Sequence, residues 1–367
     1  MERILVVLIV ALVIIALAQL TRLYQLNRKF NNRKEEEISD SENRGNAYLM
    51  LLSLFAYFGF VIWQIIHWGP YLLPEAASEH GVEIDKLFAF NWALLFFVFF
   101  AVHTLLFIFS FKYYYRKGTR AYWFPHDNKL EFIWTIVPSV TLAGIIIFGL
   151  ITWNKIQKPT DEETLSIEIY GKQFDWTARY AGNDKQLGKA NYLLVSGTNP
   201  LGIMTAGSID EKLAEYEITL AGLHNKLKTI LPDDQRNEIE HKITKINHLN
   251  ARVLDMKNKK ENHVSGLDDR MVKGEFHIPV GQEIEFLFRS QDVIHSAYMP
   301  HFRLQMNVVP GETTRFVMKP IITTAEMRKK LNNPDFNYIM MCNKICGTAH
   351  YNMQMDIVVD TPEDYQI

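Results

Sequence analysis

The chain changes its hydrophobic period near residue 153. Before that point the apolar positions run almost unbroken; after it they alternate, apart from one stretch with a helical repeat. Residues 4–20 form an apolar run barely long enough to cross a hydrocarbon core, and 47–67, 88–111 and 130–153 are full-length spans, because a helix needs roughly 20 residues for the crossing. Ala16-Leu17-Ala18 also has the form of a signal-peptide cleavage site. The six basic residues that follow, Arg22, Arg28, Lys29, Arg33, Lys34 and Arg44, favour the cytoplasmic side. A cleaved signal would leave them outside, so the expectation is a retained first helix with its N-terminus out. The second run ends on Trp63, His67 and Trp68, side chains suited to a membrane interface. Segment 69–86 carries several acids and a single lysine, whereas Lys112, Arg116, Lys117 and Arg120 mark a cytoplasmic return. Four crossings place 154–367 on the periplasmic side or its equivalent. Pro138 is expected to kink the fourth helix, and mid-span His103 to bond a neighbouring helix.

Beyond Trp153, residues 166–180 alternate as an aromatic-rich strand pair. Residues 274–281, the alternating Ile284, Phe286 and Phe288, and then 313–318, 338–341 and 355–359 give further short strands. Short strands with Gly/Pro turns indicate an all-β Greek-key sandwich or barrel. Residues 197–270 interrupt this pattern. There Ile209, Leu213, Tyr216, Leu220, Leu223, Leu227 and Ile230 make an a/d seam. A second seam holds Ile239, Ile243, Ile246 and Val253, so an antiparallel helical hairpin is inserted in the sheet domain.

Composition changes this picture little. The chain is 48% hydrophobic with a net charge of −2, a sum over regions expected to face different compartments. Many of the basic residues flank the spans, and no basic stripe marks a nucleic-acid surface.

The chemistry concentrates in Cys342-Asn-Lys-Ile-Cys346-Gly-Thr-Ala-His350-Tyr-Asn-Met353, which holds the only two cysteines of the chain. Thiolate, thioether and imidazole donors favour copper over hard cations. Two thiolates in one short loop suggest two sulfurs shared between two copper ions, which calls for a second imidazole; His295 supplies one after the alternating run. A disulfide would close a very small loop and stabilise little. Zinc held by two cysteines and two histidines stays open on ligand type, although it has no use for Met353. Covalent haem needs C-x-x-C-H, which is absent. His277 lies within a strand and His301 after a proline turn, and neither is taken as a ligand.

These residues resemble subunit II of the haem-copper cytochrome c oxidases. The match rests on Asp292-Val-Ile-His295-Ser leading to Pro300, on Pro310-Gly311, on the cysteine loop, and on Asn128-Lys-Leu-Glu131-Phe-Ile-Trp134-Thr-Ile-Val-Pro138. The resemblance covers roughly residues 85–195 and 271–361. It implies a cupredoxin-like domain with a binuclear CuA centre: Cys342 and Cys346 bridging, His295 and His350 one on each metal, Met353 axial and the Lys344 backbone carbonyl opposite. Divided accordingly, the chain has two additional N-terminal transmembrane helices with loops at 1–86, the family hairpin at 87–153, the copper domain at 154–196 and 271–367, and the inserted hairpin at 197–270.

The same resemblance implies an integral protein of the bacterial inner membrane or its equivalent. The chain would take electrons from a c-type cytochrome and pass them to haem in subunit I, beside other oxidase subunits, with no haem and no nucleic acid bound to this chain. Glu131 matches the residue at the mouth of a proton path. The aromatic segment that receives electrons reads Gln173-Phe174-Asp175-Trp176 here, with phenylalanine at the first tryptophan position and Trp176 left as an entry candidate. Lys344 replaces the glutamate that usually binds magnesium, so no side-chain magnesium ligand is expected there, and Gln305 and Asn307 replace charged residues. A copper-free quinol oxidase subunit would lack the ligand set that is intact here. A structural zinc-binding membrane protein remains a second alternative. Nitrous oxide reductase lacks the hairpin, and a copper chaperone has no need of four spans.

Overall fold

The computed structural model describes residues 2–30, 39–158, 164–230, 232–259, 264 and 266–365. Arg33 and Lys34, counted above among the basic residues, lie outside the described residues, as do 260–263 and 265 of the insertion.

Four helices open the chain: α1 (Glu2–Phe30), α2 (Asp40–Trp68), α3 (Glu79–Lys112) and α4 (Asn128–Ile156). Among the described residues, three helical segments are long and apolar enough to cross a membrane: Asp40–Tyr71, Glu79–Lys112 and Asn128–Ile156. In α1 the described apolar stretch is the shorter Ala11–Asn27. α2 begins seven residues before its apolar run because Ser39 and Glu42 form a reciprocal capping box. α4 starts where the Asp127 carboxylate accepts the backbone N–H groups of Lys129 and Leu130, each at 3.0 Å. The helices touch through aromatic pairs such as Phe58–Phe100 at 4.7 Å and Tyr48–Phe111 at 5.3 Å. His103 corrects an expectation. Its Nδ1 is 2.8 Å from the Phe99 carbonyl of its own helix, and its contact with α2 is a ring contact with Tyr57 at 5.6 Å.

The C-terminal part is a sandwich of two five-stranded sheets. The first has the order β3 (Arg270–Lys273), β2 (Asp175–Tyr180), β1 (Leu165–Lys172), β5 (Ile284–Ser290), β8 (Thr314–Met318). The second runs β4 (Glu275–Pro279), β10 (Gln354–Asp360), β9 (Tyr338–Cys342), β6 (His295–Met299), β7 (Leu304–Val308). Two neighbouring pairs, β1 with β5 and β10 with β4, are parallel, and the others are antiparallel. This is the cupredoxin-like arrangement the sequence led us to expect. Ile284, Phe286 and Phe288 alternate inward on β5 and are fully buried with Phe276, Trp176 and Met340 between the sheets. A short helix α7 (Thr324–Leu331) follows β8.

The insertion holds α5 (Ala206–Leu227) and α6 (Asp233–Asn258), packed together around Ile209, Tyr216 and Val253. Where it leaves and re-enters the sheet, a buried charge cluster ties both ends: Arg179 pairs with Glu168 and with Asp269 at 2.6 Å and donates to the Gly188 carbonyl at 2.9 Å. Arg289 meets the other oxygen of Glu168.

The segment before α3 is built into the sandwich. The Ala77 amide donates to the His301 carbonyl at 2.7 Å, and the Ile321 amide to the Ala77 carbonyl at 2.9 Å. The helix therefore starts at Glu79, nine residues ahead of the apolar run, in a polar turn that the β domain holds.

Candidate metal centre

His295 is the first residue of β6, Cys342 the last of β9, and Ala297 pairs with Cys342 across the two strands. Antiparallel register thus brings an imidazole from one strand beside a thiol from the next. The loop after β9 then turns back: the Cys342 amide donates to the Met353 carbonyl at 3.0 Å, and a single helical turn, His350–Asn352, carries the second imidazole. Gly347 has φ +140°, open to glycine, and a Cβ there would lie 2.8 Å from the Phe174 ring.

The donors fall into two matched sets. The Cys342 Sγ lies 3.8 Å from His295 Nδ1 and 3.2 Å from the Lys344 carbonyl oxygen. The Cys346 Sγ lies 3.6 Å from His350 Nδ1 and 3.8 Å from the Met353 sulfur. The two sulfurs are 3.9 Å apart and both thiols are free. His295, Cys342 and Cys346 place their donor atoms within 4.8 Å of one another, all buried. Burial, with the neighbouring Cys342 sulfur, pushes the Cys346 thiol up to about 11. A thiol held that way keeps its proton near neutral pH, and a soft metal binding its sulfur would release that proton to solvent.

Around this set lies a supporting network. His295 Nε2 is 2.9 Å from Asp292 Oδ1, which leaves Nδ1 facing Cys342. The second oxygen of Asp292 accepts the Gln173 amide at 2.7 Å, and the Gln173 side chain donates to the Cys346 carbonyl. Burial alone would raise the Asp292 carboxyl; the Gln173 amide, the His295 ring and the Val293 amide outweigh it and hold the group below the usual carboxylate range. Gly171 leaves room for the His295 ring, since a Cβ there would sit 3.1 Å from it.

Sequence reasoning named the donors but missed Asp292 and Gln173 as their supports. Spacing offered the only signal, an acid three residues before the histidine. Trp176 also differs from expectation. It is fully buried, with its ring 5.7 Å from His295 and its Nε1 3.4 Å from the Met353 carbonyl, so it offers no surface to a donor. Trp176 turns inward with Ala178 and Tyr180, the alternate residues of β2 that lie in the core between the sheets. The Lys344 side chain is exposed, as are Gln305 and Asn307 on β7. His277 is engaged by Asp360 and Glu275, and His301 packs on Phe336 and Tyr338. Glu131 lies exposed in the first turn of α4, with its amide bonded to the Asp127 carbonyl.

Comparison with known proteins identifies the family. The family model for the transmembrane domain of cytochrome c oxidase subunit II matches residues 60–151, and the model for its periplasmic domain matches 244–361. The chain belongs to the cytochrome c oxidase subunit II family. Among curated relatives, the alternative cytochrome c oxidase subunit 2 of Bradyrhizobium diazoefficiens is 26% identical, over 87% of this chain and 89% of that protein. Cytochrome c oxidase subunit 2 of Thermostichus vulcanus is 24% identical, over 84% of this chain and 81% of that protein. The crystal structure of the periplasmic domain of subunit II of a Bradyrhizobium japonicum cytochrome oxidase is 14% identical, with a TM-score of 0.26, and covers 56% of this chain and 89% of that one. Members of this family are subunits of haem-copper oxidases and in general bind copper. The buried His/Cys/Cys cluster of this chain suits that chemistry.

Proposed function

We propose that this chain is the electron-accepting subunit of a terminal oxidase, with a binuclear CuA centre held by His295, Cys342, Cys346, His350, Met353 and the Lys344 carbonyl. The observation that carries the reading is the division of donors: each sulfur has its own imidazole and its own weak partner, and the sulfurs are 3.9 Å apart. Soft donors of this kind select copper, and zinc has no role for Met353 or for the carbonyl beside Cys342. When bound, the copper pair supplies a one-electron store whose charge is spread over both metals and both sulfurs.

The chain's own residues keep that store rigid. Strand ends hold His295 and Cys342, Asp292 fixes the His295 ring, and Gln173 ties the Asp292 loop to the cysteine loop. A c-type cytochrome would deliver the electron, and haem in subunit I would receive it for oxygen reduction coupled to proton translocation. The copper domain would face the periplasm or its equivalent, after four crossings that begin with α1. Glu131, in the first turn of α4, would stand at the entry of a proton path into subunit I. With Lys344 in the loop, this chain would lend no side chain to a magnesium ion.

The test is metal analysis with optical and electron paramagnetic resonance spectra of the full chain loaded with copper. Two coppers per chain and a purple mixed-valence signal are expected. A single copper, or a colourless protein that prefers zinc, overturns the reading. Glu131→Gln is expected to slow turnover of the assembled oxidase without changing the copper spectrum; unchanged turnover removes Glu131 from the proton path.

A further inference from the structure

The connection between α3 and α4 is dense in cations and exposed rings, and the copper chemistry uses neither. Lys112, Arg116, Lys117, Arg120 and Lys129 fall within segment 112–129, interleaved with Tyr113, Tyr115, Tyr122, Trp123 and Phe124. All five of these rings are exposed, Tyr122 by 86% and Trp123 by 84%. Rings so far out of a protein core belong at an interface where one side is apolar and the other wet. The segment joins two helices that are long and apolar enough to span a membrane, so it stands at headgroup level.

Among the described residues its cations are not neutralised. Among the described residues none of the five has a carboxylate partner; Lys112 and Arg116 lie over the Tyr113 and Tyr114 rings instead. The acids nearby are already engaged. Asp127 caps α4, Glu42 accepts from Tyr24 and Ser39, and Asp40 accepts the Lys117 amide at 3.4 Å. That last contact, with the Asn43 side chain donating to the Tyr115 carbonyl at 3.3 Å, pins the connection against the first turn of α2. The cations are therefore presented from an anchored loop, with guanidinium forks free to take a phosphodiester in the planar, two-point way that lysine cannot.

We propose that this loop is a binding site for the headgroups of anionic phospholipids, with Arg116, Lys117 and Arg120 holding the phosphate and Tyr122 and Trp123 set at the acyl boundary. Charge complementarity and continuity with two spans favour lipid over a soluble anion. The proposal does not depend on the copper reading, only on α3 and α4 crossing a membrane.

The test exchanges the full copper-loaded chain into bilayer discs of equal phosphatidylcholine and phosphatidylglycerol, then counts the lipid that stays with it on extraction. Phosphatidylglycerol should be enriched about tenfold over phosphatidylcholine, the order expected when several cations meet an anionic surface. The triple variant Arg116→Gln/Lys117→Gln/Arg120→Gln should return the ratio to that of the disc, with copper content unchanged as a control for folding. Inorganic phosphate at matched ionic strength should strip no more lipid than chloride does. Equal retention of the two lipids by the native chain, or full enrichment in the triple variant, overturns the proposal. Displacement specific to inorganic phosphate would assign the loop to a free anion. A native chain without enrichment, together with an assembled oxidase that loses another subunit in the triple variant, would assign it to an acidic protein partner. Either of these last two results also overturns the lipid site.

Discussion

The Nε2 of His295 donates to Oδ1 of Asp292 across 2.9 Å, in a ring that is fully buried. This bond selects the tautomer whose Nδ1 lone pair faces Cys342, so the carboxylate decides how the imidazole meets a metal. Asp292→Ala should lower copper affinity about 10- to 100-fold, the usual effect of losing such a partner. Asp292→Asn keeps an acceptor oxygen and should lose less. A competitive chelator titration measures both; equal affinity in Asp292→Ala would deny the carboxylate its orienting part.

Gly347 and Phe174 make a second coupled pair. A Cβ on Gly347 would meet the Phe174 ring at 2.8 Å, and φ +140° is itself costly for any residue with a side chain. Gly347→Ala should therefore weaken copper retention by displacing the cysteine loop. Phe174→Ala added to it should restore part of the loss, because it removes the ring collision and leaves the backbone cost and a 2.9 Å approach to Gln173 Nε2. Copper content after gel filtration reads this out, and a double variant no better than the single one would remove the Phe174 ring from the cost and leave it to the backbone and the Gln173 side chain.

Met353 is buried with its sulfur 3.8 Å from Cys346 Sγ. Met353→Leu nearly conserves volume, so the fold should hold within about 1.5 kcal/mol. Loss of a weak axial donor should raise the reduction potential, since axial ligands tune such sites. Redox titration checks the direction; an unchanged potential would make Met353 a packing residue only.

The cysteine loop was legible in the sequence because ligand chemistry constrains residue type and spacing together. The strands β5 and β10 were legible for a different reason: Ile284, Phe286 and Phe288, like Met355, Ile357 and Val359, alternate with little interruption. β6 and β7 were not read as strands, because β6 buries four of its five residues and so loses its alternation, while β7 follows a one-turn helix at Pro300–Phe302. The packing of 74–86 into the sandwich was invisible for a related reason. Ala76, Ala77, Ser78 and Gly81 are buried, but small residues in a polar segment leave no periodic trace. Trp176 was misplaced because a buried and an exposed tryptophan read alike when a whole strand is covered.

His301 carries a pH dependence. Burial, with the positive charge of Arg303, depresses its imidazole to about 4. The folded chain thus keeps the ring neutral where the unfolded chain, near 6.5, protonates it. The unfolded state binds more protons between these values, so stability is whole above about 6.5 and falls as the pH drops toward 4. At one pKa unit per 1.36 kcal/mol the loss is on the order of 3 kcal/mol. His301→Phe fits the Phe336–Tyr338 aromatic cluster and has no buried nitrogen left unpaired. Thermal melts of the two chains from pH 7 to 4 should converge at the upper end and diverge at the lower, the variant being the more stable; parallel curves would place the acid sensitivity elsewhere.

Arg303 holds the start of α3 to the β domain. Its guanidinium donates to both Asp85 oxygens at 2.8 Å and to the Pro300 and Pro74 carbonyls at 2.6 Å. The Arg303 side chain is 6% exposed and that of Asp85 35%, so the two halves of the pair are not equivalent. Asp85→Asn strands a buried cation and should cost about 3 kcal/mol, the low end for breaking a buried pair. Arg303→Met removes the charge, and the half-exposed carboxylate left behind can be hydrated; its cost should be smaller, set by the two abandoned carbonyls. The double variant should therefore be little worse than Arg303→Met alone. Chemical denaturation of the three variants, with copper content followed in parallel, decides the matter: if the two single losses simply add, Asp85 and Arg303 stabilise the chain independently and the segment before α3 is held by its backbone bonds to His301 and Ile321.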